Sequence, residues 1–179
     1  MRSPPVDLAS EQLQKALAES WQIRADSMEY VPEGGGSHHW KLTGDDRLPH
    51  FVTVDDLDNK DWLGDTRGAV FKGLGRALGT AAELRYEVGL RFVAAPIAAR
   101  DGELLRRLDD RYTVSVFPFL AGRSYPFGPY TDARLRGLAL DMIAALRPRP
   151  PPCPPLRRPR RPERLPPRPR SPVGRRAVL

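Results

Sequence analysis

The chain of 179 residues has room for one ordinary domain. Its formal charge of +7 is unevenly placed: residues 147–179 hold 12 prolines, 11 arginines and one acid, Glu163, so this tail carries +10 and residues 1–146 carry −3. The basic average therefore belongs to the tail, which excludes reading the folded part as a basic nucleic-acid-binding domain. The single cysteine, Cys153, excludes a disulfide framework or a Cys-based zinc site, and a reducing, cytoplasmic setting is expected. Neither a charged leader with an apolar stretch behind it nor a run near 18 apolar residues is present, so a soluble protein without secretion or membrane span is expected.

In chain order, Ser10 is placed to cap a helix over Glu11 to Ser20, because Leu13, Ala16, Leu17 and Trp21 recur on one face. Three strands follow at Met28 to Val31, His38 to Leu42 and Phe51 to Val54, joined by Glu33–Ser37 and Gly44–Pro49 into an antiparallel meander. A second helix is expected from about Thr66 to Val88, on the spacing of Val70, Leu74, Ala77, Leu78, Ala81 and Leu84. Gly73, Gly75 and Gly79 inside it each cost up to about 1 kcal/mol relative to Ala, and Gly89 supplies a stop. Phe92 to Ala95, Glu103 to Arg107 and Thr113 to Phe117 read as further strands.

After a Gly/Pro-rich loop at Ala121 to Tyr130, Thr131 is placed to cap a last helix. Leu135, Leu138, Met142 and Ala145 line one of its faces, and Leu140, Ile143 and Leu146 a second. A helix apolar on two sides wants partners on both. The tail offers none, since its prolines block helix and sheet and leave it disordered. Such a tail has three readings: a polyproline ligand, an arm for RNA or acidic surfaces, or the product of a frameshift in a GC-rich gene. The orphaned helix before the switch favours the frameshift, and the uncovered apolar faces imply self-association.

The sharpest motif is Tyr30-Val31-Pro32-Glu33-Gly34-Gly35-Gly36-Ser37-His38-His39-Trp40, a glycine-rich turn between two strands. Glycines followed by Ser let backbone N–H groups approach phosphate oxygens, although glycine-rich hairpin turns are most often only turns. Other segments follow in a set order: the strand from Phe51 to Asp58, the helix around Ala69 to Glu87, the run Gly89 to Ile97, and Val114-Ser115-Val116-Phe117-Pro118-Phe119. This succession, over about Tyr30 to Leu146, resembles the aminoglycoside phosphotransferase family, particularly its spectinomycin-phosphotransferase-like branch.

The resemblance implies an α+β fold, a protein-kinase-like amino-terminal lobe with a five-stranded antiparallel sheet and a packed helix. It implies a division into an amino-terminal helix at 1–24, a nucleotide-binding lobe with the start of the next at 25–146, and the tail. It also implies ATP as cofactor, with Gly34, Gly35, Gly36 and Ser37 over its phosphates and a hinge at Phe117 to Leu120, where backbone groups meet adenine and Phe117 and Phe119 are the binding residues. Intact relatives would use Mg²⁺ and move the γ-phosphoryl group to a hydroxyl on a small molecule.

Two departures stand out. The family's third strand carries a phosphate-holding lysine, and the matching position here is about Thr53, with no Lys from Phe51 to Asp58. Its helix carries a partner glutamate, and the matching position is about Arg76, the nearest acids being Glu83 and Glu87. Lys41, Lys60 and Lys72 are the candidate substitutes. After Leu146 there is neither His nor Asp, so the His-Gly-Asp, Asn and metal-binding Asp of the family's second lobe have no counterpart.

No catalytic or metal-binding residue is therefore assigned. His38 and His39 are adjacent on a strand and point to opposite faces, and His50 has no ligand spacing with either. Asp55, Asp56, Asp58 and Asp61 lack the Gly and the closing Glu of a calcium loop. The sequence thus reads as a phosphotransferase-family protein, truncated and inactive alone. For that reading no specific nucleic-acid partner and no membrane contact are expected. The alternative is a non-catalytic binding protein whose basic tail contacts nucleic acid or acidic partners.

Overall fold

The computed structural model describes residues 1–44, 48–122, 128–129 and 131–146. The Pro/Arg tail, most of the Ala121–Tyr130 loop and the centre of the Gly44–Pro49 connection lie outside the described residues. Contacts divide the chain into Met1–Ala145 and Leu146–Leu179, and every element described here belongs to the first.

The fold is α+β, built on a five-stranded antiparallel sheet. Strands β1 (Ala25–Val31), β2 (His38–Gly44), β3 (Pro49–Asp56), β4 (Arg106–Arg107) and β5 (Tyr112–Pro118) lie in the order β1-β2-β3-β5-β4. The first three strands form the expected meander, each two to four residues longer than its apolar pattern indicates.

Helix α1 (Ser10–Trp21) lays Leu13, Leu17 and Trp21 against Trp40, Leu42, Val52, Val54, Val114 and Val116 of the sheet. These three residues recur every four positions, so one stripe meets the sheet, and each fully buried leucine contributes about 1.5–3 kcal/mol. Trp21 also donates its indole N–H to the Ile97 carbonyl at 2.9 Å. Ser10 is not the cap. Ala9 holds that position in extended backbone and its carbonyl accepts from Gln12 and Leu13, so Ser10 becomes the first helical residue and no side chain caps the helix.

Helix α2 (Arg67–Ala82) starts where its capping residue demands, the Thr66 hydroxyl accepting from the Ala69 N–H at 3.2 Å. Val70 and Leu74 pack with Leu57 and Leu105 in a second, smaller core. Gly73 is needed there: a Cβ would lie 2.9 Å from the Leu63 carbonyl, so the helix could not approach the short 3₁₀ turn Asp61–Leu63 with any other residue. The helix ends in a π turn, Glu83–Glu87.

Three sequence expectations yield to local hydrogen bonding. Phe92–Ala95 is not a strand, because the chain leaves the π turn through bonds from Leu90 N to Leu84 O and from Val93 N to Leu90 O, and Pro96 has no N–H to offer. Its neighbour Ile97 alone reaches β5, at Val116 O. The expected strand Glu103–Arg107 shrinks to Arg106–Arg107, since the 99–103 turn closes on itself through Ala99 N to Glu103 O and the Asp101 carboxylate on Glu103 N. Asp132, not Thr131, caps helix α3 (Ala133–Ala145), accepting from Arg134 and Leu135.

No residue of α3 is buried, and Leu138, Leu140 and Ile143 are all more than half exposed. Its two apolar faces lack cover from any described element, as the sequence pattern implies. No described helix is long and apolar enough to cross a membrane.

Candidate functional site

Alternation along the strands gives the sheet two unlike faces. Trp40, Leu42, Val52, Val54, Val114 and Val116 face α1 and are buried. The residues between them face the other way. In register there, Thr53 sits between His39 and Ser115, and Phe51 between Lys41 and Phe117.

That second face opens into a cleft of about 400 Å³. Phe51 and Thr53 of β3 form its floor, and Phe117–Leu120, at the end of β5, forms one wall. The opposite wall comes from Arg85 and Tyr86 of the π turn and from the segment Arg91–Ala95. Its lining is mainly apolar, with aromatic rings at Phe51, Tyr86, Phe92, Phe117 and Phe119, two guanidinium groups and no carboxylate, and so suits a planar, anionic ligand. Phe119 is fixed in the wall by the Lys41 ammonium, 5.0 Å from its ring centroid, and by its N–H on the Pro49 carbonyl.

The glycine turn connects to this cleft through His39. Gly34 has a φ of +80°, and a Cβ on it would stand 3.2 Å from His39 Nε2, so the turn lies directly against that ring. The ring stacks on Phe51 with centroids 4.9 Å apart, and its Nδ1 is 3.2 Å from Thr53 Oγ1. Burial pushes the His39 pKa below its ordinary value, against the opposing pull of Asp55. His39 is thus a neutral ring at pH 7, bridging the turn and the aromatic floor.

Beneath the other end of the turn lies Lys60, the one buried lysine among the described residues. Its ammonium pairs with Asp55 Oδ1 at 3.0 Å and donates to Gly36 O at 2.8 Å and to Ser37 Oγ at 3.2 Å. Ser37 in turn donates to Asp55 Oδ1 at 2.5 Å. Of the three lysines that could stand in for the missing strand lysine, only Lys60 reaches the turn. Lys41 covers Phe119, and Lys72 is exposed on α2, as are Arg76, Glu83 and Glu87 along the helix and its π turn.

Three of the four clustered acids, Asp55, Asp56 and Asp58, are each held by a cation. Asp55 has Lys60, and Asp56 receives Arg111 Nε and Nη2 at 3.0 and 2.8 Å. Asp58 receives Arg67 at 2.7 Å through both oxygens, and that hydrogen-bonded guanidinium holds its carboxyl below the usual range. Three carboxylates committed to three cations do not fit a Mg²⁺ site, and the described residues contain no other group of three ligands. His38 and His39 do point to opposite faces, His38 lying on the core side against Tyr30 and Trp40.

Sequence reasoning named Gly34, Gly35, Gly36, Ser37, Phe117 and Phe119. The two phenylalanines line the cleft, while the turn meets it through His39. Arg85, Tyr86 and Arg91 were missed. Arg85 and Tyr86 reach the cleft on a π turn and Arg91 on the segment that leaves it, and a π turn has no periodic signature in the sequence. Phe51 and His39 were missed as well, although strand alternation is the signal that could have placed them on the open face.

No family model and no curated protein matches the chain. Two solved structures are similar to it in fold. One is a spectinomycin phosphotransferase in complex with ADP and spectinomycin, 13% identical, with a TM-score of 0.49 over 65% of this chain and 31% of that one. The other is an amicoumacin kinase in complex with AMP-PNP and Ca²⁺, 11% identical, with a TM-score of 0.49 over 66% of this chain and 33% of that one. The chain therefore spans about a third of the length of either structure.

Proposed function

We propose that the open face of the sheet binds ATP, its purine in the cleft between Phe51 and the Phe117–Phe119 wall and its phosphates under Gly34–Ser37. The chain would then be the nucleotide-side lobe of a phosphotransferase that delivers the γ-phosphoryl group to a hydroxyl of a small molecule. One observation carries the reading: the glycine turn, His39, Phe51 and Thr53 touch in sequence, so phosphate-cradling backbone and an aromatic floor adjoin on one face.

The division of labour follows from the side chains. Aromatic rings favour a flat base, and Arg85 and Arg91 add positive charge at the opposite wall. Backbone N–H groups of a glycine turn can meet phosphate oxygens closely because no Cβ intervenes. Phosphoryl transfer also needs a base for the acceptor hydroxyl and cations that neutralise developing charge. Asp55, Asp56 and Asp58 are already paired with cations, and no His or Asp follows Leu146. Mg²⁺ and the base would have to come from residues that this chain does not supply, so the chain alone binds nucleotide without turning it over.

Thermal melting with ATP tests the reading. ATP at one hundred times its dissociation constant adds about 2.7 kcal/mol of stability and raises the melting temperature, with no ATP-dependent phosphorylation of an added aminoglycoside. An unchanged melting temperature at millimolar ATP contradicts nucleotide binding. Turnover that survives repurification and scales with protein concentration contradicts the division of labour.

A further inference from the structure

We propose that Lys60 is the positioning residue of the phosphate end, clamping the glycine turn onto the sheet and neutralising Asp55, in place of a cation on the third strand. The proposal rests on the nucleotide reading above and assigns a role within it. Thr53 ends in a hydroxyl engaged with His39 and delivers no charge. Asp55 lies two residues further along the same face, roughly 7 Å away at the rise of a strand. An ammonium 3.0 Å from Asp55 is therefore within one strand repeat of the ground that a longer side chain at position 53 would reach. Lys60 arrives there from the link between the 3₁₀ turns Leu57–Asn59 and Asp61–Leu63, not from the strand itself.

Its three N–H donors are fully used, on Asp55, the Gly36 carbonyl and Ser37. Two of these partners belong to the turn, so the ammonium fixes the turn's height over the sheet. The third is a buried carboxylate directly below the turn. Without the ammonium, that carboxylate would stand unpaired under the phosphates and repel them. Lys60 thus acts through Asp55 and the turn, and a neutral nucleoside that occupies only the aromatic cleft should be indifferent to it.

The test is the ratio of ADP to adenosine affinity, measured by calorimetry on the full chain and on three variants. Lys60→Met should lower ADP affinity by at least about tenfold, with adenosine affinity unchanged. Asp55→Asn leaves the ammonium less compensated and should raise ADP affinity by about threefold, a gain that a damaged fold cannot produce. Lys60→Arg, which keeps the charge, should restore most of the ratio. An ADP-to-adenosine ratio equal to that of the wild type in both Lys60→Met and Asp55→Asn overturns the role of Lys60 while leaving the nucleotide reading intact. Failure of the wild-type chain to bind either ligand overturns both.

Discussion

The two faces of the same sheet show how one stretch of chain can serve two ends. Residues Trp40, Leu42, Val52, Val54, Val114 and Val116 meet α1 and are buried, whereas His39, Phe51, Thr53 and Phe117 alternate with them and stay partly open. The first set is uniformly apolar and makes the fold. The second mixes rings with a hydroxyl that no folding argument requires, and His39, Phe51 and Thr53 there are held by one another. Stability and recognition are thus separated by a single residue step along each strand.

That separation can be broken most forcefully from the core side. Leu17→Ala, at a fully buried position, should cost about 2–5 kcal/mol in a urea melt, with nucleotide affinity unchanged in whatever fraction remains folded. Gly34→Ala should cost about 1–2 kcal/mol, because a Cβ at positive φ is strained and meets the His39 ring. It should also weaken ADP binding, since the turn must shift. Phe51→Ala, at a half-buried position on the open face, should cost only about 1 kcal/mol of stability yet weaken adenosine and ADP together. Equal loss of stability from Leu17→Ala and Phe51→Ala would contradict the two-face account.

The histidines give a pH test of the same contrast. Burial lowers the pKa of both His38 and His39 below the unfolded value near 6.5, so the unfolded chain binds more protons as the solution is acidified. Their contribution is present above about pH 6.5 and is lost as pH falls through the lowered folded values. Melting temperature should therefore drop between pH 7 and 5, and His39→Gln should flatten part of that drop. Lys15→Ala, which removes an exposed pair to Glu19 at 3.9 Å, should change stability by no more than about 0.5 kcal/mol.

Much of this arrangement was readable before the structure. The α1 stripe, the meander, the start of α2 near Thr66 and the uncovered faces of α3 all follow from spacing and turn residues, because those signals are local. The strand alternation also placed His38 and His39 on opposite sides. What could not be read was set by competition among nearby backbone groups. Phe92–Ala95 has strand-like composition but loses its pairing to bonds from the π turn, and the 99–103 turn uses up donors and acceptors that a longer β4 would need. The place of Lys60 was equally hidden, since it depends on two 3₁₀ turns that bring a loop lysine 24 residues downstream beneath Gly36.

The most direct test of the two-face account is a nuclear magnetic resonance titration of the isotopically labelled chain with ADP. The account predicts that perturbed amides will cluster at Gly34–Ser37, His39, Phe51–Thr53 and Phe117–Leu120, while those of α1 stay unmoved. Perturbations centred on α1, or none at millimolar ADP, would contradict it.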